Sequence, residues 1–134
     1  MTPAHLSAQL HSAIDEGLQF FAGVDETRTA TQPDPASWCA REVLGHLIDS
    51  ACNNHRRFVL GQSADLRKFD GYEQNEWVER QHYGRVPWRD MVALWSSYNR
   101  VTLGFVMEDY VTHLRHHLGQ LRNRLAPQRA AGPQ

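Results

Sequence analysis

Hydrophobic residues recur at three- and four-residue spacing along most of the chain, a pattern that predicts helices. A first helix is predicted from Pro3 to Val24, with an apolar stripe of Leu6, Leu10, Ile14, Leu18 and Phe21. A second is predicted from Cys39 to Leu60, with a core face of Val43, Leu44, Leu47, Ile48, Ala51 and Phe58. A third begins at Pro87, which suits a first helical turn, and presents Val92, Trp95 and Tyr98. The expected fold class is therefore all-α.

Two segments between these helices have no long periodic pattern. Residues Asp25 to Ser37 contain two prolines and are predicted to form a loop. Residues Gly61 to Val86 are punctuated by glycines and are predicted to form a long crossover connection, as in some four-helix bundles. Within this crossover, Glu73 to His82 is predicted to be a short helix with Trp77 packed inward.

The last helix, predicted from Asp109 to Leu121, reads DYVTHLRHHLGQL and carries three histidines. His113 and His117 are four residues apart, so they lie one turn apart on the same helix face. At about 100° per residue, both lie at or just beyond the edge of the apolar face, whereas His116 points nearer to solvent. The pair can offer one imidazole nitrogen each to a metal ion. The alternative is a polar helix face with partly buried rings.

The second helix carries one further candidate, His46, on the flank of its predicted core face beside Asn53. Asp49 follows within one turn. A lone histidine in such a place is more often structural than a ligand. Asp49 in turn can either orient a neighbouring ring or pair with a surface arginine such as Arg56 or Arg57.

Composition narrows the classes of function. The formal net charge is −1 and the lysines and arginines are scattered, so nucleic acid is not an expected partner. Cys39 and Cys52 lack CxxC spacing and predict no disulfide framework. Cys39 begins a helix, where its thiol pKa can be lowered, but a buried cap is the favoured role. No secretory signal and no apolar run of the ~18 residues that span a bilayer is found, so the cytoplasm is the default location.

Two motifs stand in order along the chain. Trp38 to Asp49, WCAREVLGHLID, is similar to the pattern W-S-x-x-E-V-L-x-H-L-x-D, with Cys39 in place of the serine. Asp109 to Gln120 matches the pattern D-Y-V-x-H-L-x-H-H-L-x-Q. With the crossover between them, they make the chain resemble the DinB/YfiT-like superfamily of metal-dependent enzymes. The resemblance implies a four-helix bundle of up-down-down-up connectivity. We expect one domain, residues 1–125, and a frayed tail, residues 126–134.

The resemblance also implies a metal site. Carried over position by position, its ligands are His46, His113 and His117, and the cofactor is a divalent metal, with zinc or nickel as the expected ion. Polar residues that are expected to orient these ligands are Asp49, Asn53 and Gln120. Members of the superfamily transfer low-molecular-weight thiols or isomerise thiol-dependent substrates, and others are called hydrolases. A thiol-dependent transferase or hydrolase acting on a small molecule is therefore expected, without an assigned catalytic residue. The alternative is a non-catalytic bundle that binds a metal or dimerises.

The connection between the third and fourth helices is shorter than in the superfamily that the chain resembles. From Trp88 to Leu125 there is no proline, and one continuous helix of these 38 residues would span about 57 Å. Such a helix would have to pack into a second copy of the chain, which gives a domain-swapped homodimer. The alternative is a tight turn between Asn99 and Gly104, with positive φ at one of these two residues. A homodimer is expected on either account.

Overall fold

The computed structural model describes residues 2–61 and 71–103, and these two ranges contain helices and no strand. The α-helices of the described residues are α1 (Pro3–Ala22), α2 (Ala40–Gly61), α3 (Gln74–Gln81) and α4 (Trp88–Tyr98). The prediction of an all-α protein is confirmed for this part of the chain. The predicted last helix and the predicted tail lie outside the described residues. None of the described helices combines the length and the apolar character needed to cross a bilayer.

Helix boundaries follow local capping chemistry. The Thr2 hydroxyl accepts a hydrogen bond from the His5 backbone N–H at 3.2 Å, with Pro3 as the first residue of α1. Ahead of α2, the Cys39 backbone N–H donates to the Glu42 carboxylate at 3.1 Å, which is one half of a capping box. The predicted start of the third helix was wrong by one residue, because Pro87 has extended backbone angles and α4 begins at Trp88.

The short helix in the crossover is confirmed as α3, but its buried side chain is not the predicted one. Val78 is 2% exposed, whereas Trp77 is half-buried and packs edge-on against Tyr72 with ring centroids 5.6 Å apart. After α3 the chain turns at His82, which has φ 53°. Left-handed backbone is uncommon for a residue with a side chain. The turn continues into a 3-10 helix, Tyr83–Arg85, whose first residue is buried.

The core lies where α2 packs against α3, the 3-10 turn and α4. Its buried members are Leu44, Ile48, Val78, Tyr83, Trp88 and Met91. From α1, Phe21 meets the Trp88 and Trp95 rings edge-on, each at a centroid distance of 5.3 Å. These contacts make α2 the central element of the described residues.

Two residues of the predicted core face of α2 are not buried. Val43 is 46% exposed and Leu47 is 42% exposed, because the face that packs on α3 and α4 is centred on Leu44, Ile48 and Ala51. With Phe20, Phe21, Val24, Ala40, Leu44 and Trp88 they line an apolar groove of about 360 Å³. The placement of Val43 and Leu47 in the core was therefore wrong for the described part of the chain.

The chain does not reverse at the end of α4. Asn99 has φ −63° and ψ −44°, and the helix continues as a π-helical turn, Asn99–Leu103. Arg100 in this turn forms an ion pair with Asp15 of α1 at 2.6 Å. The predicted tight turn with positive φ at Asn99 was therefore wrong. Gly104, the other predicted hinge residue, lies outside the described residues.

Arg41 joins the loop before α2 to the turn after α3. Its Nε donates to the Thr29 hydroxyl at 2.8 Å, and its Nη1 donates to the carbonyl oxygen of Val86 at 2.8 Å. The Arg41 backbone N–H also donates to the Thr29 carbonyl at 3.0 Å. Charge-assisted bonds of this kind are about twice as strong as neutral ones. This side chain therefore helps to hold the Tyr83–Arg85 turn against α2, where Tyr83 enters the core.

Candidate functional site

His46 lies in the first half of α2, where the sequence predicted it, on the flank of the packed face. Its ring is half-buried and lies against the Trp38 indole, with centroids 5.2 Å apart and planes inclined by 38°. The Nδ1 atom is buried and has no hydrogen-bond partner among the described residues. The ring is thus held in place by packing, while one of its two nitrogen atoms is left unsatisfied.

Asp49, one turn beyond His46, is only 2% exposed. The Tyr83 hydroxyl donates a hydrogen bond to its Oδ1 atom at 2.5 Å. The other oxygen, Oδ2, is buried and has no partner among the described residues. The alternative in which Asp49 pairs with a surface arginine was therefore wrong, since its carboxylate faces the interior.

Gly45 explains how the Tyr83 ring comes so close to α2. A Cβ atom built on Gly45 would lie 2.0 Å from Tyr83 Cδ2 and 2.4 Å from its Cε2 and Cγ atoms. The aromatic ring therefore occupies the space that a side chain would fill, directly on the helix backbone. From this position the hydroxyl reaches Asp49, which is four residues further along α2.

Burial sets the charge states within this cluster. It raises the pKa of the Asp49 carboxyl above its ordinary value of 3.8, while the Tyr83 hydrogen bond and the nearby His46 act in the opposite direction. Burial, and then the hydrogen bond to Asp49, raise the pKa of the Tyr83 hydroxyl above its ordinary value of 10. Tyr83 is therefore a permanent donor near neutral pH, and Asp49 is its acceptor.

The other residues predicted to orient a ligand have different outcomes. The Asn53 side-chain amide donates to the carbonyl oxygen of Asp49 at 2.8 Å, so it satisfies its own helix and not the His46 ring. Gln120 lies outside the described residues. Cys39 is 2% exposed, and burial raises the pKa of its thiol, which supports the capping role and not a thiolate nucleophile.

A second tyrosine contacts α2 further along the same helix. The Tyr98 hydroxyl lies 2.8 Å from Nδ1 of His55, and the two rings meet edge-on. Burial, and then the Cys52 thiol, raise the pKa of this hydroxyl. His46, Asp49, Cys52 and His55 thus follow each other at three-residue intervals along α2. Tyr98 is the counterpart of Tyr83, but its hydroxyl contacts a histidine ring, whereas the Tyr83 hydroxyl contacts the Asp49 carboxylate.

Sequence reasoning missed Tyr83 and Gly45. Tyr83 lies in the aperiodic crossover, so no hydrophobic pattern marks it. Gly45 did carry a signal, because a glycine inside a helix costs about 0.5–1 kcal/mol relative to alanine and so calls for a packing reason. That reason is the Tyr83 ring.

Of the three predicted metal ligands, only His46 belongs to the part of the chain that the structure describes. His113 and His117 lie outside it, so their convergence with His46 stays a prediction. Within residues 2–61 and 71–103, no group of three histidine, cysteine, aspartate or glutamate side chains is placed to hold a metal ion. Comparisons with models of known protein families, with curated proteins and with solved structures found no match for this chain.

Proposed function

We propose that this protein is a divalent-metal-dependent enzyme of the DinB-like kind, with His46, His113 and His117 as the metal ligands. The observation that carries the proposal is a pair of buried polar atoms on α2, Nδ1 of His46 and Oδ2 of Asp49, that have no hydrogen-bond partner within residues 2–61 and 71–103. Nearly all buried polar groups in native proteins have a hydrogen-bond partner. Histidine ligands of metals usually donate their second ring N–H to a carboxylate, so this pair fits the surroundings of a ligand.

Two sequence features support the same proposal. The His113 and His117 pair has the i,i+4 spacing that lets two imidazoles share one cation. The motif around His46 and the motif around this pair resemble those of the superfamily, in the same order along the chain. The proposed fold is accordingly a four-helix bundle of up-down-down-up connectivity, in which the last helix brings the pair to α2.

The chemistry of the proposed site follows from its ligands. A divalent ion, zinc or nickel, supplies Lewis-acid chemistry when it is bound. In this chain His46 and the two distant histidines would hold it, and Asp49 would orient the His46 ring. The proposed substrate is a small molecule, with a low-molecular-weight thiol as the first candidate, and the proposed reaction is thiol transfer or hydrolysis.

Metal binding gives the direct test of this proposal. The chain, purified without an affinity tag, should bind about one nickel or zinc ion per chain, as measured by calorimetry and elemental analysis. His46→Ala, His113→Ala and His117→Ala should each abolish this stoichiometric binding, since three-ligand sites tolerate the loss of a ligand poorly. His116→Ala is the matched control on the same predicted helix and should bind as the wild type does. Full binding by His46→Ala would overturn the assignment.

The proposal includes a homodimer. In one form of this dimer, the two protomers exchange their last helices. It is supported by the continuation of α4 through Leu103 without reversal. It is also supported by the exposed apolar groove that Val43 and Leu47 line. In the exchanged form, each metal site would combine His46 of one protomer with His113 and His117 of its partner.

Mixing two inactive variants tests this exchange. His46→Ala and His117→Ala proteins, refolded together in equal amounts, should recover about a quarter of the wild-type metal sites in an exchanged dimer. This follows because half of the dimers would be mixed, and one of their two sites would have all three histidines. No recovery, with dimers still seen by sedimentation, would show that each site lies within one chain. A monomer would remove the dimer altogether.

A further inference from the structure

We propose that Tyr83 is a positioning residue that acts through Asp49 to select the tautomer of His46. In the proposed arrangement the Tyr83 hydroxyl donates to one oxygen of the Asp49 carboxylate. The other oxygen accepts a hydrogen bond from the Nδ1–H group of His46. The selection of a tautomer has a purpose only if His46 is a ligand, so the inference rests on the proposed function. It adds to that function a residue that belongs to neither of the two sequence motifs.

The first step is that Tyr83 leaves Asp49 little freedom. The hydroxyl bonds to Oδ1 at 2.5 Å, and the Tyr83 ring is 7% exposed and packed on Gly45. Turning the carboxylate away would break this bond inside the protein, where an unmade hydrogen bond is costly. The remaining oxygen, Oδ2, is therefore held in one place and stays without a partner among the described residues.

The second step is that His46 supplies the matching donor. Residues three apart on a helix are neighbours, so the His46 ring and the Asp49 carboxylate lie on the same side of α2. Packing against Trp38 restricts the imidazole ring, and burial keeps Nδ1 away from solvent. A hydrogen bond from Nδ1 to Oδ2 would satisfy both of these atoms, neither of which has a partner among the described residues.

The third step concerns the other ring nitrogen. A neutral imidazole has one protonated nitrogen and one that is free to act as a ligand. A proton kept on Nδ1 leaves the lone pair on Nε2, which is the atom that His46 would then offer to a metal ion. The Asn53 amide donates to the Asp49 backbone carbonyl and not to the Asp49 carboxylate. Tyr83 is thus the residue that holds the Asp49 carboxylate, and Asp49 in turn orients the His46 ring.

The test is the tautomer of His46 in the metal-free full chain. Protein labelled with the NMR-active nitrogen isotope gives ring correlations that separate protonated from unprotonated nitrogens, and the His46 signals are assigned as those that disappear in His46→Gln. At a pH where the ring is neutral, the wild type should carry its proton on Nδ1. Tyr83→Phe should move the ring towards the Nε2-protonated form and weaken nickel binding by about 10–100-fold.

Tyr98→Phe is the matched control, since it removes a tyrosine hydroxyl that contacts a different residue of α2, His55, and not Asp49. It should leave the His46 signals and nickel affinity unchanged. A wild-type ring protonated on Nε2 would overturn the inference without any variant, and so would an unchanged ring in folded Tyr83→Phe. If the wild type binds no metal but Tyr83→Phe still shifts the tautomer, the proposed function fails and the positioning role of Tyr83 stands.

Discussion

Replacing Gly45 by alanine should lower the free energy of unfolding by about 3–5 kcal/mol, although the same change in an open helix is stabilising by about 1 kcal/mol. The added Cβ would lie 2.0 Å from Tyr83 Cδ2. The ring cannot simply turn away, because it is packed with Leu44, Val78 and Met91 in the core. The substitution therefore has to displace the ring and with it the donor of buried Asp49.

Gly61→Ala is the control for this prediction. Gly61 is the last residue of the same helix. Apart from its own helix backbone and chain neighbours, no atom of the described residues lies within 4 Å of a Cβ built there, so alanine should be neutral or slightly stabilising. Urea denaturation followed by tryptophan fluorescence measures both variants. In a Tyr83→Ala background the cost of Gly45→Ala should largely disappear, since the clashing ring is gone. An equal cost in both backgrounds would show that Tyr83 is not the cause.

The helices and the place of His46 could be predicted because both depend on local sequence. Apolar spacing marks α1, α2 and α4, and the flank position of His46 follows from the direction of the packed face of its helix. The same reasoning misplaced Val43 and Leu47, because an apolar residue at helical spacing is expected to be buried whether or not another element covers it. Which side of α2 is covered depends on α3 and α4, whose packing no local pattern describes.

Asp49 and Tyr83 show the limit of sequence reasoning more clearly. A charged residue on a helix is expected at the surface, beside an arginine, since burial of a charge is costly. Asp49 is buried because a ring that is 34 residues away in sequence packs over Gly45 and brings a hydroxyl with it. The only local trace of this contact is the glycine itself. The sequence thus predicted His46 and, as one of two alternatives, an orienting role for Asp49, but not the contact of Tyr83 with Gly45 and Asp49.

The stability difference between the wild type and Tyr83→Phe should depend on pH as a bell-shaped curve with a maximum near neutral pH. At the maximum, loss of the hydroxyl leaves a buried carboxylate without its donor, which costs about 3 kcal/mol. Towards alkaline pH the difference in the free energy of unfolding between the two proteins should narrow. Burial and Asp49 raise the pKa of Tyr83 in the folded protein above 10, so its stabilising contribution is complete below pH 10 and is lost as the pH rises through the folded pKa. Tyr83→Phe has no such group to lose.

Towards acid pH the difference should narrow as well. Burial raises the pKa of Asp49, so the folded state is penalised as the pH rises from 3.8 through the folded pKa of this carboxyl. The Tyr83 hydroxyl limits this penalty, and its removal makes the penalty larger. The free energies of unfolding of the two proteins therefore diverge as the pH rises through this range and approach each other below it. Urea denaturation at a series of pH values measures the curve. In an Asp49→Asn background the narrowing towards acid pH should vanish. The change in the free energy of unfolding caused by Tyr83→Phe should then be constant up to about pH 9. If the stability difference still narrows towards acid pH without the Asp49 carboxyl, another group causes the narrowing. That result would contradict the energetic coupling between Tyr83 and Asp49 on which the tautomer of His46 depends.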